Sequence, residues 1–357
     1  MKTLGIDPGT VTIDVCGIDE GAVFLDRAVP TEEVGRDPAS FIAILKEAGA
    51  ELIAGPSGYG VPLVRVEEVD DELLHLAFLA RSGEGGGIMG MRALVRALAE
   101  AKLPVVLTPG VVHLPTVPEH RKINRVDMGT ADKLCAAALG IHSQMQRSEC
   151  AASEVSFILL ELGGAFTAAI AVSEGRVVDG IGGTSGPIGA RSAGALDGEV
   201  AFLAGEISKS LLFHGGITSI LRDSTDIWQR LDDPDDDLAR MARGAFMEGA
   251  EKAVAALTVS VPRPHEILLS GRAARMASIE RELTNRLTRY APVRLLEGSA
   301  RVAKQAAEGA ALVANGLAGG SCAELVATLG IREACGSVLD HLYVIDPEHA
   351  RARLGLE

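Results

Sequence analysis

The sequence predicts a mixed α/β protein built from two related halves, and three observations carry that expectation. Short β-rich runs bounded by Gly, Pro or Asp alternate with stretches of helical apolar period. The opening order of strand, strand, strand, helix, strand partly repeats after a polar link at 146–154, which puts the domains at 1–148 and 149–357. At 357 residues and 47% apolar content, the chain is too long for one ordinary core and can fill two.

The elements follow in order. "TLGIDPG", "VTIDVCGID" and "AVFLDRAVP" read as three strands. "DPASFIAILKEAG" reads as a helix with Asp37 at the N-cap, Pro38 at its first position and Gly49 at its end. "ELIAGPSGYGVP" is a buried strand running into a loop, "IMGMRALVRALAEAK" a helix, "LPVVLTPG" a strand and "DMGTADKLCAAALGIHSQM" a helix. The second half opens with the strands "VSFILLELGG", "AFTAAIAVSEG" and "RVVDGIGG", followed by helices from about Leu196 onward. The acidic "RLDDPDDDLAR" is expected to lead into the helix "LARMARGAFMEGAEKAVAAL", its acids favourable at the helix start. "HEILLSG" is a further strand.

Composition excludes several classes. A net charge of -14 without a basic run argues against nucleic acid as a partner, because phosphate-backbone binding needs clustered Lys and Arg. The most apolar stretches are interrupted by Glu161, Glu308, Asn315 and Glu324 and read as buried core, so no membrane partner is expected. The opening "MKTLGID" lacks the basic and apolar regions of a secretory signal. Five scattered cysteines without a CxxC spacing suggest neither disulfides nor a zinc site, and a cytoplasmic location fits best.

Two turns carry the chemistry. In Asp7-Pro8-Gly9-Thr10, backbone N–H groups and a hydroxyl can converge on an anion, and Asp7 beside it calls for a hard cation such as Mg²⁺ between carboxylate and phosphate. A β-turn whose Asp caps its own backbone is the other reading. Glu161-Leu162-Gly163-Gly164-Ala165-Phe166-Thr167 again sets an acid at a strand end before glycines and a hydroxyl, with a plain hairpin as the alternative. Gly9, Thr10, Thr12, Gly163, Gly164 and Thr167 are thus candidate phosphate contacts, and Asp7 and Glu161 candidate metal ligands. At Ser270-Gly271-Arg272 a strand ends beside a bare glycine, where a flat adenine could rest.

Arg191 and Arg121 are candidates for bidentate capture of the acceptor or of the transferring phosphoryl group, with exposed surface Arg as the bland reading. Asp127 and Asp132 flank a helix start. Five residues span about 140° of helix, so both face one cleft only if one precedes the helix. Each could equally be an N-terminal helix acid. His113, His120 and His214 have no partner at metal-ligand spacing.

The order of an Asp-x-Gly-Thr turn, an acid-x-Gly-Gly-x-x-Thr turn, a strand–Ser-Gly element and the late Ala/Gly helix "AAEGAALVANGLAGG" resembles the acetate and sugar kinase, heat-shock chaperone and actin (ASKHA) superfamily. "GPSGYGVPLVRV", "PEHRKINRVDMGTADKLCAAALG" and "GIGGTSGPIGARSAGAL" are similar to segments of butyrate kinases and of predicted butyrate kinases (DUF1464). The resemblance implies two ribonuclease-H-like domains of the actin-like ATPase fold with a nucleotide cleft between them. It also implies ATP and Mg²⁺ as cofactors and a kinase acting on a small carboxylate, with a homodimer allowed. It favours Asp132 over Asp127. Asp7 stands where acyl-phosphate kinases tend to have Asn, and "GTADK" is similar to a type III pantothenate kinase segment whose acid works on a hydroxyl. A kinase of a hydroxyl acceptor and an ATP-switched binding protein are therefore the alternatives.

Overall fold

The computed structural model describes residues 1–9, 11–80, 87–222 and 226–356. The first sheet contains β1 (Lys2–Pro8), β2 (Thr12–Asp19), β3 (Ala22–Pro30), β4 (Leu52–Pro56), β5 (Val64–Arg65) and β6 (Val105–Thr108), in the order β3-β2-β1-β4-β6-β5. The helices of this half are α1 (Thr31–Arg36), α2 (Pro38–Ala48), α3 (Asp71–Phe78), α4 (Gly87–Glu100), α5 (Glu119–Lys122) and α6 (Ala131–Ser148). The second sheet contains β7 (Phe157–Leu162), β8 (Thr167–Ser173), β9 (Arg176–Ile181), β10 (Glu266–Ser270) and β11 (Val293–Leu295), in the order β11-β10-β7-β8-β9. Its helices are α7 (Gly198–Ala204), α8 (Ile217–Leu221), α9 (Ile227–Leu231), α10 (Asp237–Leu257), α11 (Ala277–Leu287), α12 (Gln305–Leu317), α13 (Ala323–Leu329) and α14 (Pro347–Arg353). Each sheet is a three-stranded antiparallel meander whose first strand is followed by two parallel strands, with the short β5 added antiparallel at the edge of the first sheet, so the repeat suspected in sequence is plain in topology.

Local chemistry explains the boundaries. Asp37 accepts from Ser40 N at 3.4 Å and Gly49 closes α2 at φ 63°, as its sequence predicts. Asp236 accepts from Leu238 N and Ala239 N at the start of α10, where the acidic run was expected to lead. The central helix begins at Ala131 rather than at Asp127, because Gly129 at φ +129° and extended Thr130 break the chain first. The sequence reading did not include α1, α3 or β5.

The molecule is layered. Leu4, Ile6, Ile13 and Val15 face an outer core with α2, α3 and α4, while Ile158, Leu160 and Leu162 face another with α10 and α11. Between the sheets, α6 and α12 lie side by side, α12 against β1, β2 and β4, and α6 against β7 and β8. Phe157 and Leu159 point into this middle layer, as the period-2 alternation requires. Small residues make the layer thin. A Cβ on Gly309 would stand 1.8 Å from Cys135 O, and one on Gly5 would stand 2.1 Å from Ala307 O. Gly309→Ala is therefore expected to force the helices apart and to cost about 3 kcal/mol in chemical denaturation. No described helix is long and apolar enough to cross a membrane.

Candidate active site

Alternation along β1 builds one side of the site. Thr3, Gly5 and Asp7 share the face toward α12, which runs antiparallel to the strand. Thr3 Oγ1 donates to Ala311 O, Gly5 lies under Ala307, and Asp7 meets Lys304 at the helix start. Asp14, directly opposite Asp7 in the β1–β2 ladder, shares that face. Lys304 Nζ lies 3.5 Å from Asp7 and 3.0 Å from Asp14.

The second half repeats the device. Phe157, Leu159 and Glu161 face α6, which runs antiparallel to β7. Phe157 meets Gly140, and Glu161 meets Lys133 in the first turn of the helix at 2.7 Å. Lys133 also holds Asp132 at 2.6 Å, whose other oxygen accepts from Thr130 Oγ1. Each sheet thus ends its first strand in an acid that meets a lysine at the N-terminus of a central helix, where the helix dipole favours anions.

The electrostatics join the two sides. Burial pushes the Asp7 carboxyl up to about 7; Lys304 pulls it down, and Asp132 pushes it up again. Burial also acts upward on Asp132, but the Lys133 ammonium and the hydrogen bonds from Lys133 and Thr130 outweigh it and hold Asp132 low. The same carboxylates keep Lys133 firmly charged against burial.

The structure distributes the other candidates as follows. Gly9 N donates within its own turn to Asp7 O and Thr12 O, and its bare face admits Lys304 Nζ, which a Cβ would approach to 2.6 Å. Thr10 lies outside the described residues. Thr12 contributes its carbonyl, 3.4 Å from Lys304 Nζ. Gly163 N closes the second turn onto Phe166 O, Gly164 has open space above it, and Thr167 Oγ1 is buried without a partner among the described residues. Ser270 pairs with Glu161 in the ladder. Gly271, at φ +88°, lets the chain pass the Leu162 carbonyl, 2.4 Å from where a Cβ would stand, so packing alone accounts for this glycine. Arg272 is exposed.

Arg191 sits beside the second turn, its N–H on Ala165 O and its guanidinium 5.6 Å from the Phe213 ring, which lies edge-on to Phe166. No ion pair or side-chain hydrogen bond of Arg191 occurs among the described residues. Arg121 is engaged elsewhere, donating to Val178 O on the edge strand β9 and facing Asp179 at 3.8 Å. Asp127 precedes α6 and clasps the loop after β9. It accepts from Thr184 N at 2.8 Å, Thr184 Oγ1 at 2.7 Å and Gly129 N at 3.3 Å. Its partners are structural, so Asp127→Ala is expected to cost about 3 kcal/mol in urea denaturation through its orphaned donors. His113 is buried with Nδ1 on Cys335 O and Gly336 O, a core histidine.

Asp14, Lys133 and Lys304 were not among the sequence candidates. Lys304 reaches the site because six successive N–H groups before α12 are held by carboxylates: Ser299 and Ala300 by Glu308, Arg301 to Ala303 by Asp26, and Lys304 by Asp14. Asp14, in contrast, interrupts an apolar strand, a signal that the sequence did contain. A separate groove of about 880 Å³, lined in part by Glu20, His142, Arg147, Arg294 and Glu308, holds none of the strand-end acids.

The donor set fits Mg²⁺. When all are ionised, four carboxylates face two ammonium groups, a surplus of two negative charges. Asp14 Oδ1 is buried without a partner among the described residues. No three His, Cys, Asp or Glu side chains form a ready metal cage among the described residues.

The profile of the family described as "Protein of unknown function (DUF1464)" matches residues 5–344. No curated protein matches the chain. Among solved structures, a propionate kinase from Francisella tularensis subsp. tularensis matches with a TM-score of 0.61 at 14% identity, over 86% of this chain and 98% of that one. Acetate kinase from Entamoeba histolytica gives 0.59 at 10% identity, over 81% and 87%. Acetate kinase from Porphyromonas gingivalis gives 0.56 at 13%, over 81% and 88%. The fold is the one that these acetate and propionate kinases share, the α/β architecture with two sheets that the sequence led us to expect.

Proposed function

Because this chain belongs to the DUF1464 family and shares its fold with acetate and propionate kinases, we propose that it is an ATP- and Mg²⁺-dependent phosphotransferase whose acceptor is a small carboxylate. The observation that carries this reading is the paired device itself: an acid at the end of the first strand of each sheet, each met by a lysine at a helix N-terminus. We assign the domains to residues 1–148 and 149–357, with α12 returning to pack on the first sheet.

The nucleotide's phosphates would lie between the two turns, over the N-termini of α6 and α12. Mg²⁺, held by Asp7 and Glu161, would neutralise phosphate charge. Lys133 offsets the negative charge around the transferring group, and Arg191 holds the acceptor carboxylate, with Phe213 and Phe166 beside its apolar part. A carboxylate oxygen attacks the γ-phosphorus, the bond from that phosphorus to the β–γ bridging oxygen breaks, and ADP leaves with the bridging oxygen. Asp132 supports a carboxylate over a hydroxyl acceptor. Both its oxygens are engaged and its carboxyl is held low, which makes it a weak base, whereas a carboxylate acceptor needs none.

Coupled measurement of ADP release over a panel of short-chain carboxylates, with hydroxylamine present, tests the reading. Acceptor-dependent and Mg²⁺-dependent ADP release with hydroxamate formation is expected. ADP release indifferent to every acceptor, without hydroxamate, would count against it.

A further inference from the structure

The Gly58-Tyr59-Gly60 turn beyond β4 is fixed on several sides. Ser57 Oγ donates to Thr108 O at 2.7 Å, Tyr59 N to Ala77 O at 3.0 Å and Ala131 N to Gly58 O at 3.0 Å. Gly58 and Gly60 lie at φ +70° and +117°, and a Cβ on Gly60 would stand 2.4 Å from Gly110 N, so glycines must flank the tyrosine. The turn thus presents one side chain. The Tyr59 ring carries the Lys209 ammonium of the second half 5.0 Å from its centroid, where the negative face of the ring holds a cation. Burial and then the Asp127 carboxylate push the Tyr59 phenol up, with the Thr184 side chain acting against them, so the hydroxyl stays protonated beside the loop after β9.

Lys209 belongs to an excursion that leaves and returns at Arg191. Ala193 N donates to His214 O at 2.9 Å and Gly216 N to Arg191 O at 2.8 Å, which brings the two ends of 194–213 together. Within it α7 buries no side chain, and between Phe202 and Ser210 every residue but Lys209 is exposed. Its long stem is covered because its ammonium reaches the ring. Four residues on, the Phe213 ring lies 5.6 Å from the Arg191 guanidinium, which has no ion pair or side-chain hydrogen bond among the described residues to fix it. What steadies the excursion therefore steadies the arginine.

We propose that Tyr59 is a positioning residue for Arg191. By seating Lys209 it ties the excursion to the first half, and the excursion sets Phe213 against the guanidinium that would take the acceptor carboxylate. The tie stands on these contacts alone; its effect on the acceptor rests on the phosphotransfer reading. A guanidinium already in place loses less freedom when it pairs with a carboxylate, so loosening the excursion weakens acceptor binding. Nucleotide binding over the starts of α6 and α12 does not involve the excursion and is unaffected.

Amide hydrogen exchange of the full chain, read by mass spectrometry without ligand, tests the tie. Lys209→Met and Tyr59→Leu are each expected to speed exchange across 208–216 roughly fivefold and to leave α6 and α12 unchanged. Lys209→Arg, which keeps a cation on the ring, is expected to restore the slow exchange, and the double substitution to add nothing to Tyr59→Leu, since both break one contact. Circular dichroism checks folding, and Lys209→Met carries the test should Tyr59→Leu not fold. In the transfer assay the same variants are expected to raise KM for the acceptor roughly fivefold, with KM for ATP unchanged and Lys209→Arg again restoring the value. Unchanged exchange in Lys209→Met, additive effects in the double variant, or an equal rise in KM for ATP would overturn the proposal. Faster exchange in the variants of a protein that transfers to no acceptor would leave the tie standing and remove the kinase reading. Transfer whose acceptor KM ignores both substitutions would keep the kinase reading and overturn the positioning role.

Discussion

Lys133→Met is expected to lower phosphoryl transfer by roughly 100- to 1000-fold, the range for loss of one preorganised charge in an enclosed site. Lys133 is the cation shared by Asp132 and Glu161, and the methionine stem preserves its packing while removing all its donors. The substitution leaves two largely buried carboxylates without a cation, so stability is also expected to fall, by about 3 kcal/mol at pH 7.5. The sign of the pH dependence separates this from a packing defect. In the intact protein Lys133 helps to hold Asp132 low, a contribution present at neutral pH and lost as the pH falls through the folded value. The stability deficit of Lys133→Met should therefore shrink toward acid pH, whereas a packing defect would persist. Urea denaturation at pH 7.5 and below pH 3, beside the transfer assay, reads both effects.

Asp7→Asn is expected to act in the opposite direction on stability. Burial raises the Asp7 carboxyl from an ordinary 3.8 to about 7, despite the pull of Lys304. Between those values the folded chain holds a proton that the unfolded chain has released, so stability declines as pH rises through that window and is fully restored below it. A shift of that size corresponds to about 4 kcal/mol at pH 8 in metal-free buffer. Asp7→Asn should recover much of it at pH 8 and little at pH 4, while Lys304 keeps its contact with Asp14. Thermal denaturation with chelator at the two pH values checks this. Added Mg²⁺ should stabilise the unsubstituted protein and not Asp7→Asn, since Asp7 is the acid that we propose to meet the metal.

How much of this was legible depends on how far the determining contacts lie along the chain. The strand-end acids Asp7 and Glu161 could be read locally, because an acid before a glycine turn at the end of an apolar run is a short-range pattern. The repeated strand order could be read as well, and it recurs in both sheets. Lys304 could not, since it reaches the site through the grip of Asp26 and Asp14 on a loop nearly the length of the chain away. Lys133 was hidden by its neighbour, because helix geometry drew attention to Asp132, while the antiparallel run of α6 against β7 is what brings Lys133 onto Glu161. Asp127 and Arg121 show the converse. Their residue types suit catalysis, but Asp127 clasps Thr184 and Arg121 is spent on β9, and neither partner was near in sequence.

The most direct measurement follows the oxygen atoms. An accepted carboxylate carrying ¹⁸O is incubated with ATP, Mg²⁺ and the protein, the product is cleaved at its acyl carbon by hydroxylamine, and the released phosphate is examined by ³¹P resonance. Attack of the carboxylate, labelled at both oxygens, on the γ-phosphorus places one ¹⁸O in each phosphate, with labelled phosphate forming roughly 100- to 1000-fold more slowly in Lys133→Met. Phosphate that forms in the presence of the labelled acceptor but carries no ¹⁸O would mean that water, not the carboxylate, receives the phosphoryl group.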